Sequence, residues 1–389
     1  MRRAALWALG LAAGAAAGED APHLALRPPP AARVSVAQAV EEGVRFLVAR
    51  QNADGSFGEH VSGRNYELWC DVPAGHMAFR AATTGLCYMG LASATACQTE
   101  ASRAAQARCL AWLAANARVG RASGAQLYNI WAFAYGLRAL AHALRAQAAG
   151  APEAAVRAAA EGIVSDLAAY QSPDGGWGYY DFRYQTARPA WSTSFTTATV
   201  LIALHEAREA GLAVPSAVVE KGVALLRRIR TPDGNYAYSI EWRWRPKGLI
   251  NRVQASSMRN QSCNLAIALF DPSFPRADLA RGVRDLAAHH AFAVSGLRRP
   301  VPHESHYLVS GYFYLYGQMY AAMVLERLPA EEASGLWPGV VEAILKAREP
   351  DGSFWDYPTY GYHKYYGTGY ALMALARCPA GAAAPPPPR

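Results

Sequence analysis

Charge is scarce in this chain. Of its 389 residues only 17% are Asp, Glu, Lys or Arg, against 52% hydrophobic, which argues against a disordered chain and leaves apolar material for a large core. Acids are the scarcer sign, 30 against 38 Lys and Arg, for a formal net charge of +8. The basic residues form no dense run, so nucleic acid is not an expected partner, whereas an acidic ligand or anionic surface is. Cysteine is sparse as well: six residues, at 70, 87, 97, 109, 263 and 378, whose spacing matches no disulfide framework. Several lie in apolar helical stretches, which predicts mostly buried thiols with room for one bridge. Beyond the first twenty residues no stretch is long and apolar enough to span a bilayer.

Those first twenty, "MRRAALWALGLAAGAAAGED", set two Arg before a short apolar run and Ala15 to Ala17 as a small-residue cleavage site. They predict a signal peptide over 1–17 and a periplasmic or secreted protein with no stable membrane span after cleavage. A membrane anchor is the competing reading, but Gly10 and Gly14 break the run. Residues 18–33 read as a linker, 34–378 as one domain, and the Pro-rich 379–389 as an extended tail.

What the sequence has in plenty is a repeated turn. "QNADGSF" at Gln51, "QSPDGGW" at Gln171, "RTPDGNY" at Arg230 and "REPDGSF" at Arg348 each set Gln or Arg three residues before Asp, and an aromatic two residues after Gly. An amphipathic helix precedes each, as with Val36, Val40, Val44 and Leu47; a helix apolar nearly all round follows, as in "TSFTTATVLIALHEA". Two further pairs lack the turn: "SRAAQARCLAWLAANA" before "AQLYNIWAFAYGLRALAHAL", and "ADLARGVRDLAAHHA" before "HYLVSGYFYLYGQMYAAMVLERL". The intervals from Asp54 to Asp174 and from Asp233 to Asp351 are about twice that from Asp174 to Asp233, which makes two halves of three pairs. Six pairs of amphipathic outer and apolar inner helices predict an all-α fold, an (α/α)6 toroid. An open solenoid is the alternative, but it calls for near-identical units and polar caps. In the turn, Gly supplies a positive φ at the helix end, Gln or Arg is placed to bond freed carbonyls, and the aromatic packs over the turn.

"FLVARQNADGSF" and "LAAYQSPDGGWG" resemble the QW repeat of the terpenoid cyclase and prenyltransferase toroid superfamily, over residues 34 to 378. "SGYFYLYGQMYAAMVLE" with "WDYPTYGYHKYYGTGYALMALA" is similar to exported bacterial proteins carrying prenyltransferase and squalene-oxidase repeats. The resemblance implies the toroid and an isoprenoid-like ligand. The superfamily's chemical motifs are missing, however. Class II cyclization needs an Asp-x-Asp-Asp acid, and the inner-helix stretches 76–92, 126–144, 254–270 and 362–377 hold no carboxylate. Of the prenyltransferase zinc ligands only Cys263 is retained, with Gln261 and Gly367 at the other two positions, so no metal and no cofactor are expected. The Gly-Cys-Gly-Glu-Gln of thioester toroids is also absent.

Function is then expected in the loops after the outer helices and the first turns of the inner ones, which are rich in Tyr and Trp, with basic residues among them. His306 or His363 beside a tyrosine such as Tyr312 or Tyr365, with Asp181, make the candidate catalytic set. "HESH" would place His303 and His306 on one face if helical. Trp191, Arg188, Arg259, Asn260, His76, Tyr128 and Tyr316 are the candidate ligand-binding residues. Three functions follow: a toroid that binds or transforms an apolar or amphipathic, isoprenoid-like ligand in an aromatic central cavity; a polysaccharide lyase-like enzyme on an acidic glycan, with His, Tyr, Arg and Asn260 converging; and a scaffold whose cavity is filled by its own Tyr and Trp.

Overall fold

A computed structural model describes residues 34–60, 73–181, 191–303 and 306–380; the expected signal peptide and most of the linker and tail lie outside this range. The described residues are helical, with β-pairing limited to isolated bridges such as Gln126 with Tyr180 and Thr193 with Ser239. Six helix pairs follow one another. They are α1 (Val36–Arg50) with α2 (Pro73–Ser93), α3 (Glu100–Asn116) with α4 (Asn129–Ala146), α5 (Glu153–Ala169) with α6 (Ser194–Glu209), and α7 (Ser216–Arg228) with α8 (Val253–Phe270). The fifth outer element is split into α9 (Arg276–Ala288) and α10 (His290–Gly296) before α11 (Tyr314–Leu325). The sixth, α12 (Ala330–Ala333) and α13 (Trp337–Lys346), precedes α14 (His363–Leu375). The inner helices α2, α4, α6, α8, α11 and α14 form a closed ring, and the expected (α/α)6 toroid is what the chain adopts.

The repeated turn is what closes it. In all four copies the glycine is left-handed, with φ of 92° at Gly55, 102° at Gly175, 80° at Gly234 and 83° at Gly352. The Asp carboxylate accepts from the backbone two residues on, as in Ser56 N–H to Asp54 Oδ1 at 3.0 Å and Gly176 N–H to Asp174 Oδ1 at 3.1 Å. The aromatic two residues past the glycine is wholly buried in each copy: Phe57, Trp177, Tyr236 and Phe354. Its backbone N–H donates to a threonine of the inner helix, at 3.0 Å each for Phe57 to Thr84, Trp177 to Thr197 and Phe354 to Thr368. The turn thus ties an outer helix to its own inner partner.

The same turn also reaches the next outer helix. Gln51 Nε2 donates to Gly55 O and to Ala105 O of α3, both at 2.9 Å, and Gln171 Nε2 to Gly175 O and to Val218 O of α7, both at 2.8 Å. Where Arg replaces Gln, the link is ionic: Arg230 to Asp278 of α9 at 2.7 Å, and Arg348 to Glu42 of α1. The last of these joins the sixth pair to the first. On the inner ring α14 closes against α2 at glycine, since a Cβ on Gly369 would fall 2.7 Å from Leu86 O.

A Cβ at Gly175 would lie 2.6 Å from Lys221 O, on a backbone that L-residues adopt with strain. Gly175→Ala should therefore cost at least ~2 kcal/mol in chemical denaturation. Gly339→Ala, in α13 with nothing within 4 Å of the added carbon, should be neutral or stabilizing by up to about 1 kcal/mol. Equal stability for the two variants would remove the turn from its structural role.

Candidate functional site

The inner-helix N-termini and the loops that follow the turns share one end of the ring, called the mouth below. Backbone bonds lace the mouth loops together: Leu127 N–H to Tyr179 O at 2.9 Å, Asp181 N–H to Ala125 O at 2.8 Å, and Ser194 N–H to Tyr238 O at 3.0 Å. On this frame aromatic rings touch in an unbroken series around the mouth. Centroids are 6.2 Å apart for His76 and Tyr362, 6.0 Å for Tyr362 and Phe79, 5.0 Å for Phe79 and Tyr128, 5.7 Å for Tyr128 and Tyr180, and 4.7 Å for Tyr180 and Tyr179. The series continues through Phe195 at 5.8 Å, Phe313 at 4.8 Å, Tyr312 at 4.6 Å and Tyr357 at 5.4 Å. Five of the six pairs or their loops contribute to this series, and Tyr238 of the fourth joins it at 5.3 Å from Phe195.

One arc of this belt carries a chain of polar groups. Tyr179 and Tyr238 share a short hydroxyl–hydroxyl hydrogen bond, the Tyr238 ring meets His303 edge-on at 5.4 Å, and the Tyr312 hydroxyl lies 2.8 Å from His303 Nε2. The direction of the last bond follows from the other ring nitrogen. His303 Nδ1 is 2.7 Å from Leu308 O, a carbonyl that only accepts, so Nδ1 carries the proton and Nε2 accepts from Tyr312. Burial, with Arg259 nearby, holds the imidazole pKa down at about 4, so His303 is neutral at physiological pH. Its backbone is left-handed, φ 60°, as are Leu308 at 56° and Arg298 at 64°, a cluster of strained non-glycine residues in one mouth loop.

Beneath this arc lies Arg259, on α8 and 1% exposed. Its guanidinium carbon is 5.2 Å from the Tyr238 ring centroid and 5.3 Å from that of Phe313, and its Nη atoms donate to Ala255 O at 3.0 Å and Ile250 O at 2.8 Å. Among the described residues no carboxylate pairs with it and its Nε has no hydrogen-bond partner. Burial lowers its pKa from the usual arginine value. The arrangement is a buried positive charge under phenol hydroxyls, which favours negative charge at the surface those hydroxyls face.

Deeper along the axis the ring is filled and polar. Arg138 of α4 makes a two-pronged ion pair with Glu206 of α6, at 2.9 and 2.8 Å, and reaches Tyr320 of the diametrically opposite α11 at 3.4 Å. Tyr135 and Tyr370 share a short hydroxyl hydrogen bond, and Tyr316 bonds Thr199 at 3.0 Å. Helices that face each other across the ring thus touch through side chains, which fill the bore at this level. Two pockets among the described residues, of about 160 and 130 Å3, lie elsewhere: one between α9, α11 and α13, the other between α4 and α5.

The sequence-predicted residues fall into several groups. Tyr312 and Arg259 meet in the arc just described, and Trp191 packs beside it, 5.3 Å from Tyr179. Tyr128 is in the belt, its hydroxyl 2.6 Å from that of Tyr180, and His76 is there too, edge-on to Tyr360 at 4.7 Å. Tyr316 belongs to the deep tier. Asn260 is buried at the third turn, its Nδ2 donating to Asn235 Oδ1 at 2.7 Å. Asp181 is buried and paired with Arg121 at 2.9 Å, which binds two mouth loops together. The histidine on Tyr312 is His303; His306 is exposed, edge-on to Tyr307, and both histidines lie in turns, not on a helical face. His363 bonds Tyr360 O at 2.7 Å and packs on Trp355, while Tyr365 turns outward against Phe46 and Phe57. Arg188 lies outside the described residues. Cys87, Cys97, Cys109, Cys263 and Cys378 are free thiols, and burial pushes Cys263 up to about 12. Among the described residues no cluster of His, Cys, Asp or Glu suited to a metal occurs, and no helix is long and apolar enough to cross a membrane.

The start of α11, which carries Tyr312 into the arc, is held by Asp356. This buried carboxylate accepts from Leu315 N–H and from the Tyr366 hydroxyl, both at 2.9 Å. Burial pushes its pKa up to about 7 in spite of those bonds. Because the folded value lies above the unfolded one near 3.9, its contribution is complete below about pH 4 and is lost as pH rises through about 7. Asp356→Asn should remove that loss: the stability of the variant relative to wild type should rise across this window by a few kcal/mol at most, measured by urea denaturation at fixed ionic strength. A flat difference would mean that Asp356 is not buried as described.

No protein-family model and no curated protein sequence matches the chain. Solved structures do match its fold. The type II terpene cyclase MstE from Scytonema is 13% identical, with 88% of this chain and 98% of that one covered and a TM-score of 0.51. An inactive variant of an alpha-1,6-mannanase from Salegentibacter, in complex with alpha-1,6-mannotetrose, is 9% identical with coverages of 88% and 99% and a TM-score of 0.54. A D-mannose isomerase is 10% identical with coverages of 90% and 99% and a TM-score of 0.53. The chain is thus similar in fold to α/α toroids with terpenoid and with carbohydrate chemistry.

Proposed function

We propose that the protein binds an amphipathic, anionic ligand at the mouth of the ring, its ring or apolar part on the aromatic belt and its negative charge at the Tyr179–Tyr238–Tyr312 hydroxyls. The observation that carries this reading is Arg259: a wholly buried guanidinium with no carboxylate partner among the described residues, set under those phenols. The ligand class that fits is a sugar acid or another carboxylated ring. An isoprenoid-like portion has a place only along the belt, because a chain lying down the axis would meet the Arg138–Glu206 pair and the hydroxyls of Tyr135, Tyr316, Tyr320 and Tyr370. The shared fold does not choose between terpenoid and glycan ligands; the polar groups favour the second.

A second reading is supported by the Tyr312–His303 bond. In a polysaccharide lyase-like elimination on an acidic glycan, the hydrogen-bonded Tyr312–His303 pair would take the proton beside the uronate carboxylate as the glycosidic C–O bond breaks and return a proton to the leaving oxygen.

Calorimetric titration with galacturonate oligomers and with neutral galactose oligomers tests both readings. The acidic series should bind and the neutral one should be at least about tenfold weaker; Tyr312→Phe should lose about tenfold in affinity for the acidic series with its circular dichroism unchanged. Unsaturated product forming with wild type and not with Tyr312→Phe would add the enzymatic reading. Equal affinity for both series, unaffected by the variant, would overturn the proposal.

A further inference from the structure

Large apolar side chains are rarely left exposed on this protein. Among the described residues three stand out: Trp244 at 75%, Leu249 at 40% and Val301 at 47% exposed. The first two belong to one segment, residues 240–252, and Val301 is two residues from His303, whose ring meets Tyr238 edge-on at 5.4 Å. All three therefore lie at the mouth end.

The segment that presents Trp244 is built rather than slack. Two short 3-10 turns, Ile240–Trp244 and Leu249–Asn251, are joined by successive backbone bonds: Arg245 N–H to Trp242 O at 2.9 Å, Gly248 N–H to Arg245 O at 2.8 Å and Asn251 N–H to Gly248 O at 2.9 Å. Asn251, with no exposure, staples them, since its Nδ2 donates to Trp242 O at 3.2 Å and Arg245 O at 2.9 Å while its Oδ1 accepts from Tyr238 N–H at 2.9 Å. A buried amide thus fixes the loop to the mouth arc and leaves an indole in solvent. The segment also carries four cations, Arg243, Arg245, Lys247 and Arg252, with Glu241 its single acid. The Arg243 guanidinium is 4.4 Å from the Trp244 centroid, and Arg252 Nε donates to Lys247 O at 3.1 Å.

We propose that this end of the ring docks on an anionic lipid surface, with Trp244 and Leu249 entering the headgroup layer and the four cations meeting lipid phosphates. Exposed indole and leucine held among cations are what an interface of that kind takes. An acidic glycan would use the indole and the cations but gives no place to Leu249 or Val301. Docking would also present the mouth to ligands at that surface, though the proposal stands without the ligand reading above.

Co-sedimentation of the whole chain with vesicles of phosphatidylcholine, with and without phosphatidylglycerol, tests this. Binding should require phosphatidylglycerol and fall with added salt. Trp244→Ala should weaken it about tenfold and the double variant Arg245→Ala/Lys247→Ala about twentyfold, with circular dichroism and Tm unchanged because these three residues are exposed. Equal binding to neutral vesicles, wild-type binding by both variants, or no vesicle binding at all would overturn the proposal. So would retention on polygalacturonate that depends on these residues while vesicles are ignored.

Discussion

Every level of this structure depends on how an outer helix ends. At the Asp-Gly turn the chain stops, lets the glycine rest on the next outer helix, and sends a buried aromatic back to its own inner helix. Because Gly55, Gly175, Gly234 and Gly352 hold the same left-handed conformation, the contact repeats around the ring. The final copy, Arg348 on Glu42, uses the first outer helix as its neighbour and so converts a row of helix pairs into a closed toroid. Closure gathers the inner-helix N-termini and the loops before them at one end, where a site can form from residues far apart in sequence.

Closure also decides what fills the middle. Six inner helices in contact leave an axis wide enough for side chains from opposite walls to meet, and here they meet as polar groups: Arg138, Glu206 and the tyrosines of α4, α11 and α14. Burial by itself would raise the Glu206 carboxyl, yet the Arg138 charge and hydrogen bonds together with Arg145 and Arg377 outweigh it, and the carboxyl lies below its ordinary range. Such a tier is costly to desolvate and costly to break, so it holds the ring rather than receiving a ligand. The mouth differs. Tyr179 is bonded to Tyr238 and Tyr312 to a neutral histidine, above an arginine that no carboxylate among the described residues pairs with.

Much of the fold was legible because one motif carried it. Spacing around Asp-Gly exposed the repeat, helical periodicity separated outer from inner helices, and the absence of carboxylates in most inner-helix stretches matched their burial. What periodicity could not show was the break between α9 and α10, or the threonine that anchors three of the four turns, because the sequence distance from aromatic to threonine differs in each: Phe57 to Thr84, Trp177 to Thr197, Phe354 to Thr368. Of the site, Tyr312 and Arg259 were readable as a polar-tipped aromatic and a cation near inner-helix starts. The sequence marks His303 only as the partner of His306 in "HESH", outside the catalytic set, since its pairing with Tyr312 is made by a non-helical loop with left-handed residues, which no helical spacing predicts. His363 and Tyr365 illustrate the converse: near in sequence, they point apart because one turns toward Trp355 and the other toward α1.

The central claim is that the ring receives ligand at its mouth and is sealed below. A crystal structure of the protein soaked with galacturonate tests it most directly. The account predicts the carboxylate at the Tyr179–Tyr238–Tyr312 hydroxyls, with the Arg138–Glu206–Tyr320 tier unmoved. Ligand density on the axis among Tyr135, Tyr316 and Tyr370, with that tier displaced, would contradict it.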